Sequence, residues 1–188
     1  MQPNRDVDVT WRPISLLMKN QPEPGSEYHD ASTRSHRMLR VMEAVRAAAD
    51  DPDAGNEAVA RLYWELGSRI HHGGDLDFDV ADALAAVDLD TELASAADDE
   101  IWDQVVRAGM DEGLRLTGDD VGTPLLALTD DDGVRHGYFG PVILDIPPTE
   151  DSLAMWDALT TMMRIDGFYE LKKTRDGAPE FGDDPDER

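Results

Sequence analysis

The chain has 188 residues, with 17 Lys plus Arg against 41 Asp plus Glu, a formal charge of −24, and no cysteine. Its length fits one domain, or one domain with a sizeable insertion, and 40% apolar residues are enough for a packed core. The lack of cysteine excludes disulfides, thiolate metal sites, iron–sulfur clusters and thiol catalysis by these residues alone, and the acidity argues against nucleic acid, whose phosphates need clustered Lys and Arg.

Val7, Val9 and Trp11 alternate with Asp8 and Thr10. That period of two predicts a strand over 6–11, closed by Pro13. The Pro, Gly and Ser content of 20–26 predicts a loop. Met38, Val41, Met42 and Val45 recur at helical spacing and predict a helix from Tyr28 to Ala49, ended by Asp51-Pro52-Asp53. A second helix is expected from Glu57 to His71, on the stripe Val59, Leu62, Tyr63, Leu66 and Ile70, with Gly73-Gly74 as its stop. Short helices follow at 79–87 and after Asp90. Asp98 or Asp99 then caps a longer one carrying Ile101, Trp102, Val105, Val106, Met110 and Leu114.

Beyond Gly118 the period changes. Residues 124–128 and 134–139 flank the turn signal Asp131-Asp132-Gly133 and predict a β-hairpin. Thr149 is expected to cap a last amphipathic helix with Leu153, Trp156, Leu159 and Met163. Residues 176–188 read as a flexible acidic tail. The four tryptophans, Trp11, Trp64, Trp102 and Trp156, lie on or near apolar stripes and are expected in the core. No apolar run approaches the roughly 18 residues of a membrane span, and the N-terminus lacks an apolar signal segment. A soluble, cytoplasmic protein with no membrane partner is expected.

Local motifs exclude more than they assign. Asp75, Asp77 and Asp79 imitate the start of a calcium loop, but Val80 and Ala86 stand where it needs Gly and Glu. His71 and His72 are adjacent, so on a helix they diverge and cannot share one metal; no metal site is expected. Ser35-His36 has no convergent acid in the sequence, which leaves no hydrolase triad. Gly122-Thr123-Pro124 at the head of a strand is unusual, because proline rarely starts a central strand without a special turn.

Five stretches keep one order along the chain: 6–16 leading to Asn20; Arg61-Leu-Tyr-Trp-Glu-Leu-Gly67 with Arg69-Ile70-His71; Asp119-Asp-Val-Gly-Thr-Pro124; Phe139-Gly-Pro-Val142; and Phe168-Tyr-Glu-Leu-Lys172. Together they resemble the DsbA-like branch of the thioredoxin superfamily, and within it the actinobacterial mycothiol-dependent nitroreductases. The resemblance implies an α/β, thioredoxin-like fold with a helical insertion. The core would comprise 1–19 and 119–175, and the insertion 20–118. Pro124 would be a cis-proline facing the active site, Thr123 would present its backbone to a thiol ligand, and the insertion would lid the site. Asn20, Tyr28 and His71 match cleft residues that hydrogen-bond the thiol cosubstrate or the substrate.

The implied function is a DsbA-family thiol-dependent oxidoreductase. Its partners would be a small-molecule thiol such as mycothiol, as cosubstrate, and an electrophilic substrate; no bound cofactor is implied. The family places a first strand and a Cys-Pro-Trp-Cys-like motif before the segment that begins here at residue 6. The chain therefore reads as N-terminally truncated, without its first central strand and nucleophilic cysteine, and as inactive alone. Two alternatives stand beside this reading: a non-catalytic thiol- or partner-binding remnant of the fold, and a relative of the kappa-class glutathione transferases and isomerases. Strand edges left unpaired by the missing strand would be costly if buried, about 1–3 kcal/mol per lost backbone hydrogen bond, and could pair between chains in a homodimer.

Overall fold

Short polar side chains set most of the helix starts, as their sequence positions lead one to expect. The structure is a computed structural model and describes residues 4–181. Ser15 caps α1 (Leu16–Asn20), Ser26 caps α2 (Glu27–Ala48), Asp51 caps α3 (Pro52–His71) and Asp79 caps α4 (Val80–Ala86). Asp90 and Asp99 cap two 3-10 helices, Thr91–Asp98 and Glu100–Trp102, and α5 follows (Asp103–Thr117). Each cap oxygen accepts a backbone N–H that the first turn leaves without an intrahelical partner. Strands β1 (Leu125–Thr129) and β2 (Arg135–Phe139) form one antiparallel sheet, and α6 (Thr149–Met163) closes the order. The fold is mixed α/β and mostly helical.

Several boundaries differ from the sequence reading. Asp51-Pro52 opens α3 rather than merely ending α2, because proline at the first helical position loses no hydrogen bond. That moves the start of α3 from Glu57 to Pro52. Helix α1 was not expected; five residues are too few to show a period. Thr149 is the first residue of α6, after Pro148, and makes no cap bond.

The largest correction concerns 6–11. Burial alternates along this segment, with Val7, Val9 and Trp11 more buried than Asp6, Asp8 and Thr10, yet residues 6–15 join no sheet. Around Trp11, side chains replace the ladder: its N–H donates to Asn56 Oδ1 at 2.9 Å, and its carbonyl accepts Arg46 Nη2 at 2.7 Å.

The described chain divides into two compact units, residues 10–111 and residues 4–9 with 112–181. The first holds the main core. Val41, Val45, Val59, Leu62, Leu66, Ala83 and Leu84 are buried together, with Trp11 and Trp102 packed at its margin. Helices α2 and α3 are joined by three residues and so run antiparallel. Their backbones nearly touch: a Cβ on Gly55 would meet the Arg46 carbonyl oxygen at 2.8 Å. Trp64, expected in the core, is 63% exposed on α3. It follows Tyr63 on a helix whose inward stripe is already filled by Val59, Leu62 and Leu66.

The second unit carries the hairpin. Leu126 faces Tyr138 and Leu128 faces His136. Asp130 closes the turn: its Oδ1 accepts the N–H groups of Asp132 and Val134, and its Oδ2 meets His136 Nε2 at 2.8 Å. Arg5 grips Asp157 of α6 with two hydrogen bonds, 2.9 and 2.6 Å. Met163 alone among this unit's described hydrophobic residues is buried. No residue of β1 or β2 is buried, so water reaches the strand edges and the expected cost of buried, unpaired backbone does not arise. The Glu180 N–H donates to the Leu144 carbonyl at 2.7 Å. The rest of the expected tail, 182–188, lies outside the described residues.

Stability should follow this uneven burial. Leu62→Ala, at a fully buried site, is expected to lose about 2–5 kcal/mol, whereas Trp64→Ala should lose about 0.5 kcal/mol or less. Urea unfolding of the two variants measures the difference, and equal losses would contradict the core assignment.

Candidate functional site

In the 10–111 unit, Asn20 is the last residue of α1 and Tyr28 lies in the first turn of α2. Gln21, with φ 44°, reverses the chain after α1, and Ser26 fixes the start of α2 by accepting the His29 N–H. The structure brings Asn20 and Tyr28 together: Asn20 Nδ2 donates to Tyr28 Oη. Both side chains are exposed, so a ligand can reach donors and acceptors on either.

His71 ends α3. The antiparallel run of α2 and α3 brings it to the end of the helical hairpin where α2 begins. Burial, and then the neighbouring His72, hold its pKa below the ordinary histidine value. The neutral imidazole is therefore favoured.

In the other unit, the Gly122-Thr123-Pro124 and Phe139-Gly140-Pro141 motifs lie side by side at the open end of the hairpin. The Gly140 N–H donates to the Pro124 carbonyl at 2.8 Å, and a Cβ on Gly122 would meet the Phe139 ring at 3.3 Å. The Thr123–Pro124 and Gly140–Pro141 peptide bonds are both cis, and Gly140 adopts φ +96°. Gly122, Thr123 and Pro124 are exposed and Gly140 is buried. The pair thus offers an exposed backbone segment braced from behind by the second motif.

An apolar pocket of about 430 Å³ lies in the same unit, lined by Pro141, Ile143, Ile146, Leu153, Trp156 and Leu159 among others. None of the expected site residues lines it. Among the described residues, no cluster of three or more His, Asp or Glu side chains is placed to hold a metal ion, and no helix is long and apolar enough to cross a membrane.

One polar cluster escaped the sequence reading. His36, which had no visible acid, is buried and bridges two distant residues. Its Nδ1 lies 2.9 Å from Ser15 Oγ and its Nε2 3.0 Å from Asp103 Oδ1. Arg40 holds the same Asp103 through two hydrogen bonds, 2.6 and 3.0 Å, and also donates to the Ala97 carbonyl. The available signal was the four-residue spacing of Ser32, His36 and Arg40, which puts polar groups on one face of α2. The acid itself lies 67 residues away and left no local trace.

Residues 1–173 match the model of a protein family described as Rv2466c-like, mycothiol-dependent nitroreductase Rv2466c. The chain belongs to that family. The match covers both units, and with them the Thr123–Pro124 segment, Asn20, Tyr28 and His71. The Rv2466c-like family is named for a reductase that depends on a thiol.

Acid should expose the His36–Arg40–Asp103 cluster. The hydrogen bond from Arg40 is the main cause that holds the Asp103 carboxyl below its usual range; burial opposes it and His36 adds to it. A lowered folded pKa stabilises the fold above the unfolded pKa, and that stability is lost as pH falls through the folded value. The unfolding midpoint should therefore fall below about pH 4. Arg40→Met should cost about 1–3 kcal/mol at neutral pH and flatten the acid limb. Thermal melts from pH 7 to 3 measure both, and an unchanged acid limb in Arg40→Met would contradict the assignment.

Proposed function

We infer that this chain provides the thiol-cosubstrate recognition of a mycothiol-dependent reductase with a thioredoxin-like, DsbA-type architecture. The family match over residues 1–173 carries the reading. The juxtaposed Gly-Thr-Pro and Phe-Gly-Pro motifs support it, because they leave exposed backbone at Thr123 that can pair with a thiol ligand in strand fashion. Asn20 and Tyr28 supply polar groups for the amide and hydroxyl functions of a sugar-containing thiol such as mycothiol, and His71 supplies a neutral imidazole. The 20–118 segment acts as the helical insertion of that architecture.

The electrons come from the thiol. Oxidation of two thiols to a disulfide releases two electrons and two protons, which take a nitro group to a nitroso group and water. These 188 residues contain no sulfur nucleophile of their own, since they contain no cysteine.

Calorimetry tests the recognition. Mycothiol titrated into the cysteine-free chain should bind, and Asn20→Ala and Tyr28→Phe should each weaken binding by about 1 kcal/mol, the loss of one hydrogen bond. Unaltered affinity in both variants would remove Asn20 and Tyr28 from the site. Binding without nitroreductase turnover by the protein as the cell makes it would favour a non-catalytic thiol-binding module instead.

A further inference from the structure

Tyr28, Ser32, His36 and Arg40 recur every four residues and so share one face of α2. Helix α1 meets that face at both of its ends. Its cap, Ser15, meets His36, and its last residue, Asn20, meets Tyr28. Between the two contacts lies Ser32, whose hydroxyl is the one buried side-chain oxygen without a hydrogen-bond partner among the described residues. A helix of five residues has no stability of its own, so these end contacts and the packing around them must set where α1 lies.

At the inner end the acid fixes one role. Asp103, ionised beside Arg40, can only accept, so His36 Nε2 carries the proton it donates. His36 Nδ1 shares a hydrogen bond with the Ser15 hydroxyl, 2.9 Å away. Ser15 Oγ also accepts the Met18 N–H, 3.1 Å away, which is the cap bond of α1. Ser15 is fully buried. The Ser15–His36–Asp103 arrangement therefore looks like a hydrolytic triad but presents no nucleophile to solvent.

We propose that His36 is a positioning residue: through Ser15 it fixes the start of α1, and so holds Asn20 at Tyr28. The chain of contacts runs from Asp103 on α5, through His36 on α2, to the cap of α1 and along its single turn to Asn20. Its consequence for thiol affinity rests on the reading of Asn20 and Tyr28 given above; its consequence for their mutual contact does not.

Two variants separate the roles of the imidazole. In His36→Gln the amide can still reach Asp103 from the Nε2 position but loses Ser15. In His36→Asn a polar atom stays near the Nδ1 position and can still meet Ser15. Ser15→Ala breaks the same bond from the other side with a minimal change of volume. Circular dichroism establishes that each variant is folded. In the NMR spectrum of the full chain, contacts between the Asn20 side-chain amide protons and the Tyr28 ring should vanish in His36→Gln and in Ser15→Ala, and return in His36→Asn. Mycothiol affinity should fall by about tenfold in the first two and fall no further when Asn20→Ala is added, as coupled neighbours require. Retention of the Asn20–Tyr28 contact in both His36→Gln and Ser15→Ala would overturn the proposal. If the contact is lost as expected but the unmodified chain binds no mycothiol, the positioning role stands and the thiol-site reading falls.

Discussion

The Asp103 carboxylate accepts hydrogen bonds from Arg40 Nε, Arg40 Nη2 and His36 Nε2, and the placement of α1 on α2 follows from it. Arg40, His36 and Asp103 bring three nitrogens and one anion together, with His36 buried and the Asp103 side chain 32% exposed. Partial exposure screens the charges, so the cluster acts more through the geometry of its hydrogen bonds than through a buried ion pair. Arg40 extends the cluster to the Ala97 carbonyl, and His36 extends it to the cap of α1. One carboxylate thus ties α1, α2, α5 and the 3-10 segment before α5, alongside the apolar contacts of Val41, Val45, Val59 and Leu62.

The other unit is organised differently. Its apolar burial is thin, with Met163 alone fully covered among its described hydrophobic residues. Directional contacts do more of the positioning: the Asp130 turn with His136, the two bonds from Arg5 to Asp157, the Tyr138 hydroxyl donating to the Phe168 carbonyl, and the Gly140–Pro124 bridge. That bridge matters for function because it joins two proline-containing motifs 16 positions apart by register, with Leu125 opposite Phe139 as the next pair. An exposed backbone segment braced in this way suits recognition by main-chain pairing, which needs geometry more than area.

Much of this was legible in the residues. The helix starts were marked by Ser15, Ser26, Asp51, Asp79, Asp90 and Asp99, although Ser15, Ser26 and Asp51 were not read as caps, and the hairpin by the Asp131-Asp132-Gly133 turn between two apolar runs. Period alone could not decide whether 6–11 would find a strand to pair with. The alternation in burial is present, but Asn56 and Arg46 satisfy the backbone at Trp11 where a ladder was expected. Trp64 shows a related limit: hydrophobicity places a residue near a stripe, but helical phase decides whether it points inward, and Leu62 and Leu66 hold the inward positions. The pairing of Asn20 with Tyr28 connects expected site residues across a short loop. The Ser15–His36–Asp103 chain joins residues far apart in sequence, and only packing reveals it.

The most direct test of the account is an amide chemical-shift map of the full chain as mycothiol is added. The account predicts that Thr123 and Gly140 in one unit, and Asn20 and Tyr28 in the other, each shift and saturate, while Leu62 and other core positions stay still. A map that saturates elsewhere, or shows no shift at those four residues at millimolar thiol, would contradict it.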